Sequence, residues 1–222
     1  MGFFQYAWTI LPHLLQGVQI TLLMTAISMS VAAVLALLLA LGKMYGSSPI
    51  RWFCSAYIEF FRGTPLLAQL FIVYYGLPVA GINFDSFTAA VITFGLNSGA
   101  YQAEYLRGAI QSIEAGQVEA ARSVGMSFIT AMWKIVLPQA FRRVIPPWSN
   151  DVIYTLKYTS VAFMIGAHEL TSQAKIVAGE YFRFTESFMV AGIIYLIMVY
   201  IFSRSLGVME KRLKIPGFEM RE

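Results

Sequence analysis

Residues 18–41 form an apolar run without a single formal charge. Crossing the hydrocarbon core of a bilayer takes roughly 20 mostly apolar residues in a helix, because lipid offers no partner for backbone N–H and C=O groups. The run meets that length, so it reads as a membrane span. Composition extends the argument to the whole chain. Its 222 residues are 58% hydrophobic and only 13% charged, whereas soluble domains carry about 25% charged residues. A chain this apolar could not cover a water-facing surface, and lipid is its expected solvent.

Four more segments have the length and apolarity of spans: residues 52–79, 86–110, 144–167 and 187–203. The expected fold is therefore an all-α membrane protein with about five transmembrane helices in a single domain over residues 1–222. The stretches before the first span and between the fourth and fifth can add short interfacial helices. No lysine or arginine precedes Lys43, so the basic region that opens a cleaved signal peptide is missing. The first span should stay in the membrane.

Basic residues orient the spans. With the N-terminus outside, Lys43, Arg51, Arg107, Arg122, Lys134, Arg142, Arg143, Arg204, Lys211, Arg212, Lys214 and Arg221 fall in the cytoplasm. The opposite side keeps only Lys175 and Arg183. Lysine and arginine in short loops favour the cytoplasmic side, so the C-terminus is expected inside. The formal charge of +4 is explained by this topology and gives no reason to invoke nucleic acid.

The polar stretch 111–139 is too long for a tight turn and rich in helix formers. Gly116 and Gly125 punctuate it, and Pro138 is expected to end its helical run. It reads Glu119-Ala120-Ala121-Arg122-Ser123-Val124-Gly125, then nine residues, then Ile135-Val136-Leu137-Pro138. Ala120 and Ala121 are small enough for close approach to a partner surface. Gly125 permits a sharp bend, and Pro138 sets a new chain direction. Glu119 and Arg122, three apart, share a helical face and can pair with each other or with a partner.

This pattern resembles the EAA loop of permease subunits in binding-protein-dependent ABC importers, and every fixed position matches. The resemblance implies a short cytoplasmic coupling helix that docks in a groove of a separate ATPase subunit. It makes Glu119, Ala120, Ala121, Gly125, Leu137 and Pro138 the coupling residues. A second block, Glu59-Phe60-Phe61-Arg62-Gly63-Thr64-Pro65-Leu66-Leu67, is similar to the E-x-x-R-G-T-P-L motif of polar amino-acid permeases. Tyr74-Tyr75-Gly76-Leu77-Pro78 and the run from Asn97 to Glu104 fit the same subfamily. The resemblance implies a type I importer permease in the cytoplasmic membrane of a prokaryote. Its partners would be two ATPase subunits, a second permease subunit (identical or not) and an extracytoplasmic amino-acid-binding protein. ATP and magnesium would be bound by the ATPase, leaving this chain without a cofactor.

Charges inside spans narrow the search for a substrate path, since a charge at the bilayer centre costs at least ~2.5–3.5 kcal/mol and faces protein or water. Glu104 and Arg107 are three apart and suited to pair, as are Glu59 and Arg62. Gly63 and Pro65 should kink the second span, either as plain structure or as part of gating. Asp151 follows Pro146-Pro147-Trp148-Ser149-Asn150. It reads either as a path-lining carboxylate for the cationic part of an amino acid or as an interfacial or subunit-contact carboxylate. In the resembled permeases this position is acidic in several arginine- or histidine-type systems and neutral in others. Lys157 lies on nearly the opposite face and should not pair with it. The path candidates are thus Asp151, Asn150, Asn97, Glu104 and Thr64.

Several chemistries find no support. The lone Cys54 excludes an internal disulfide and a multi-cysteine metal site. No G-x-x-x-x-G-K-[ST] occurs, so the chain should not hydrolyse ATP itself. An intramembrane enzyme would need catalytic groups clustered at one depth, and none is evident. A channel or ion-gradient transporter would leave the 111–139 loop without a task.

Overall fold

The structure, a computed structural model, describes residues 1–213 and contains helices but no strand among them. Lys214 and Arg221, placed in the cytoplasm above, lie outside the described residues. Helix α1 (Phe3–Tyr45) is 43 residues long, about 64 Å at 1.5 Å per residue and twice a bilayer core. It is the spine of the molecule. The stretch before residue 18 is therefore not a separate interfacial helix but the first third of α1. Helix continues through Pro12 because Tyr6, Ile10 and Leu14 are buried against α8 (Leu170–Tyr181) and α9 (Phe184–Leu213).

The middle of α1 packs against α4 (Ser86–Gln111) along a seam of small residues. Ser28, Ala32, Ala36 and Ala40 are buried on α1 at four-residue spacing. Gly95, Gly99 and Ala103 recur at the same spacing on α4. A Cβ on Gly95 would lie 2.9 Å from Val31 Cγ1, and one on Gly99 3.0 Å from Leu35 Cβ. Without water to drive apolar surfaces together, membrane helices associate by close packing of such small residues. Helix α4 starts where expected because Asp85 caps it, its carboxylate accepting from the N–H groups of Phe87 and Thr88.

The second predicted span is two helices. α2 (Ser48–Gly63) and α3 (Leu66–Phe71) meet at a bend of 107°, and α3 continues through a π turn (Ile72–Gly76) and a 3₁₀ turn (Leu77–Ala80). The cause is local. Thr64, the residue before Pro65, is forced extended, with φ −119° and ψ 148°. Helix α5 (Ala115–Ser123) follows α4, and then α6 (Phe128–Ala131), a π turn (Met132–Val136) and α7 (Leu137–Tyr158). Pro138 does not end this helical run, contrary to expectation; it occupies the first turn of α7, where no N–H is needed. The fourth helix thus begins at Leu137 rather than near 144, and a 3₁₀ segment (Thr159–Ile165) completes it.

By length and apolarity, α1 and α9 qualify as membrane spans, and the bent α2–α3 pair as a third if counted as one. α4 and α7 are 26 and 22 residues long but carry polar faces, which they turn towards each other.

Candidate functional site

Helix α5 divides its residues between two tasks. Ala121 is buried and Val118 packs on the core formed by the ends of α1, α2 and α4. Glu119, Ala120 and Arg122 are exposed. The two alanines therefore do not act alike: Ala121 seats the helix on its own bundle, and Ala120 leaves a low outer face. Glu119 and Arg122 form no ion pair with each other among the described residues, so of the two expectations from their spacing the internal pair is not the one seen. Gly125 closes the helix with φ +83°. Its N–H donates to Arg122 O at 3.0 Å, and the Met126 N–H to Ala121 O at 3.0 Å, the pattern of a glycine-terminated helix.

Beyond the bend the chain exposes Val124, Ile129 and Trp133, an apolar margin beside the outer face of α5. Leu137 is buried and Pro138 exposed. The π turn makes its wide bond from Leu137 N–H to Met132 O, one residue before a proline that can donate nothing. This turn joins the exposed segment to α7. Behind α5 lies an apolar cavity of about 210 Å3, lined by residues including Tyr45, Ile113, Val118, Phe128 and Met132. It is far in character from the polar groups described next.

Glu104 is the centre of an ionic junction. Lys43 Nζ of α1 lies 2.9 Å from Glu104 Oε1, Arg107 Nη2 2.7 Å from Oε2, and Arg62 Nη1 of α2 3.9 Å from Oε2. The Glu104–Arg107 pairing read from the sequence is present, and Lys43 and Arg62 add to it. The predicted Glu59–Arg62 pair is not formed: Glu59 is exposed and without a charged partner among the described residues, while Arg62 lies over the Tyr101 ring at 5.3 Å. Long-range packing of α2 on α4 decides between the two carboxylates.

Thr64 and Asn97 belong to a clasp across the α2–α3 bend. Gln69 Nε2 donates to Phe61 O, Thr64 O and Thr64 Oγ1 at 2.8, 3.1 and 2.8 Å. Asn97 Nδ2 donates to Phe61 O at 3.0 Å and to Gln69 Oε1 at 2.9 Å. Carbonyls freed where Pro65 breaks the helix are thereby satisfied inside the bundle, which an apolar environment demands. Gly63 and Pro65 are exposed on the outer side of the corner.

Asp151 lies elsewhere, on α7 against α4, with only 7% of its surface exposed. Gln102 Nε2 donates to Asp151 Oδ2 at 2.8 Å. One turn away Ser98 and Thr155 hydroxyls are 3.0 Å apart. The two contacts form an antiparallel polar ladder between helices. Asn150, the sequence neighbour of Asp151, is exposed and takes no part. Lys157 is exposed with its Nζ 4.7 Å from the centre of the Tyr154 ring, so it does not pair with Asp151, as the helical spacing requires. Of the five path candidates the structure separates all but the clasp pair, Thr64 and Asn97. It adds Gln102, Ser98, Thr155, Gln69 and Lys43, none of which was among the path candidates. The four-residue spacings 98/102 and 151/155 carried that signal, since each pair shares a helical face.

Comparison with known proteins gives this geometry a context. Residues 32–215 match the family described as binding-protein-dependent transport system inner membrane component. Over 201 residues the chain is 40% identical to the probable amino-acid ABC transporter permease protein YckA of Bacillus subtilis, covering 90% of this chain and 89% of that one. It is 36% identical over 210 residues to the glutamine transport system permease protein GlnP of Escherichia coli K12, covering 94% and 96%. Among solved structures, the crystal structure of an amino acid ABC transporter with histidines superposes with a TM-score of 0.89 at 37% identity, covering 96% of this chain and 99% of that chain. An inward-facing structure of the MetNI methionine ABC transporter, 19% identical with a TM-score of 0.76 over 93% and 99%, shares the fold.

Proposed function

Given that the chain belongs to the family of binding-protein-dependent transport system inner membrane components, we propose that it is the permease subunit that carries a polar amino acid across the cytoplasmic membrane of a prokaryote, powered by a separate ATPase. Such a component is part of an ABC importer and not an enzyme. It works with an ATPase and a binding protein; the full assembly contains two ATPase subunits and a second permease subunit. The five crossings are α1, the α2–α3 pair, α4, α7 and α9. The N-terminus is outside and the C-terminus inside, a reading supported by the bias of basic residues. The substrate is a basic amino acid or an uncharged polar one such as glutamine or cystine.

In this reading the outer face of α5, with Glu119, Ala120 and the turn at Gly125, receives the ATPase. Leu137 and Pro138 anchor the following helix. Movement of α5 passes through the π turn to α7, and α7 carries Asp151. Asp151 takes the cationic group of the substrate, in a polar strip that the rest of the span shields from lipid. The ionic junction at Glu104 and the clasp at Thr64 and Asn97 hold the helices around the path. The observation that carries the reading is the exposed α5 face, formed by motif residues that serve no packing role in this chain.

The test is ATPase activity in proteoliposomes holding the chain and its ATPase subunit, with and without loaded binding protein. Gly125→Val forces a β-branched residue into a left-handed backbone, in a place where a Cβ meets no atom within 4 Å. It should abolish stimulation by loaded binding protein while leaving the bundle folded. Stimulation equal to wild type would remove α5 from the coupling path.

A further inference from the structure

Gln102 is buried with 3% of its surface exposed, and its two amide atoms are treated differently. Nε2 faces Asp151 Oδ2 at 2.8 Å and Met29 Sδ at 3.7 Å. Oε1 is buried and has no hydrogen-bond partner among the described residues. Turning the amide over does not repair this. It would aim an oxygen at a carboxylate and give away the one strong bond the side chain makes. The orientation is therefore fixed by Asp151, and the orphan is always an acceptor. A buried acceptor without a donor costs on the order of 1–3 kcal/mol, and native structures keep few of them.

Ser98 and Thr155 are engaged with each other. Asp151 brings two acceptor oxygens, and only Oδ2 takes the Gln102 bond. A small gap lined by Leu66, Phe94, Asn97, Ser98, Thr155 and Tyr158 adjoins this rung. Asp151 on α7 thus offers a carboxylate, and Gln102, facing it from α4, a neutral carbonyl oxygen.

Resting on the reading of Asp151 as the carboxylate of the substrate path, we infer that Gln102 is a specificity-determining residue, whose Oε1 accepts a second N–H from a cation that carries several donors in one plane, a guanidinium or an imidazolium. Such a group can donate to Asp151 and Gln102 together. An ammonium is a compact point charge without a planar fork, and matches the pair less well. Nε2 meanwhile keeps Asp151 oriented. The prediction is a preference for arginine or histidine over lysine that resides in Gln102.

The experiment is equilibrium binding of radiolabelled L-arginine, L-histidine and L-lysine to the detergent-solubilised importer complex without binding protein, so that only the membrane site is read. Gln102→Met keeps the volume and removes both amide atoms. It should weaken arginine or histidine binding about 10-fold or more and leave lysine nearly unchanged. Gln102→Glu keeps an acceptor at Oε1 and loses the donor to Asp151, so it should retain the preference for arginine or histidine. Loss of that preference in both variants means that only the donor to Asp151 matters, and an unchanged preference in Gln102→Met means that the side chain does not select; either result overturns the inference alone. If wild type binds none of the three, or Asp151→Asn binds them as wild type does, the Asp151 reading falls and this inference with it.

Discussion

Arg62 is held towards Glu104, 3.9 Å away on another helix, and not towards Glu59, one turn before it on its own helix. The choice follows from charge and burial. The Glu104 side chain is 14% exposed and already collects Lys43 and Arg107, while the Arg62 side chain is 43% exposed. A carboxylate partly out of water gains more from a cation than one in solvent does, and the Tyr101 ring supplies a second surface for the guanidinium.

Removing Glu104 should therefore matter more than removing Arg62. Glu104→Gln leaves Lys43, Arg62 and Arg107 facing one another without a countercharge. Breaking a fully buried pair costs about 3–5 kcal/mol, and the exposure of the cations lowers this to roughly 1–3 kcal/mol. Arg62→Ala should cost under about 1 kcal/mol. Cys54, buried and the one cysteine of the chain, makes thermal unfolding readable with a thiol-reactive fluorophore. Equal midpoints for the two variants would refute the ranking.

The α1–α4 seam predicts a position-dependent response to glycine replacement. Gly99→Leu drives a side chain into Leu35, where even a Cβ would be 3.0 Å away. Overpacking of this kind costs about 1–3 kcal/mol. Gly108, on the same helix, has open space around its Cβ position. Gly108→Ala should be neutral or stabilise by up to about 1 kcal/mol, by restricting the unfolded chain. The same unfolding assay separates the two; a stable Gly99→Leu protein would mean that α1 and α4 are not in close contact.

Asp85 gives a pH signature. Hydrogen bonds from Thr88, side chain and backbone, hold its carboxyl below the ordinary range despite its exposure. A carboxyl depressed in the folded state stabilises it fully above the unfolded value of about 4. That contribution is lost as pH falls through the lowered folded-state value. Asp85→Ala should cost about 1 kcal/mol at neutral pH. Asp85→Asn, an equally good cap, should cost little and lose this part of the acid sensitivity. Unfolding midpoints of the three proteins between pH 3 and 7 check the sign: if wild type and Asp85→Asn fall in parallel, the cap does not titrate as described.

How far the fold was legible varied with the physics of each element. α4 could be bounded from sequence because a polar cap and an apolar helix coincide at Asp85 and Ser86. The first third of α1 could not, since Tyr6, Ile10 and Leu14 stay helical past Pro12 only by packing on α8 and α9, contacts that join chain segments far apart in sequence. Pro65 announced a break, but its 107° angle depends on Gln69 and Asn97 closing the clasp. Pro138 misled because a proline that ends one helix and a proline that opens another look alike until the preceding turn is known. At the site, Asp151 drew attention as a charge in an apolar span. Gln102 did not, because a neutral amide gives no such signal; its meaning comes from facing Asp151.

The outer face of α5 carries the last prediction. Ala120 is exposed, and Ala121 and Val118 face inward. Ala120→Trp therefore adds bulk to a surface that this chain does not use for its own packing. Surface substitutions of this sort usually change stability within about 0.5 kcal/mol, so the unfolding midpoint of the isolated chain should not move. A partner that seats against a low alanine face must instead accommodate an indole, and overpacking at a close interface is unfavourable by about 1–3 kcal/mol. Co-purification of the ATPase subunit should drop several-fold, and loaded binding protein should no longer stimulate ATP hydrolysis. Ala121→Trp should behave in the opposite way, lowering the unfolding midpoint of the isolated chain before any partner is added. If Ala120→Trp retained the ATPase subunit in full and kept wild-type stimulation, the docking surface would have to be sought on the apolar margin of Val124, Ile129 and Trp133 alone.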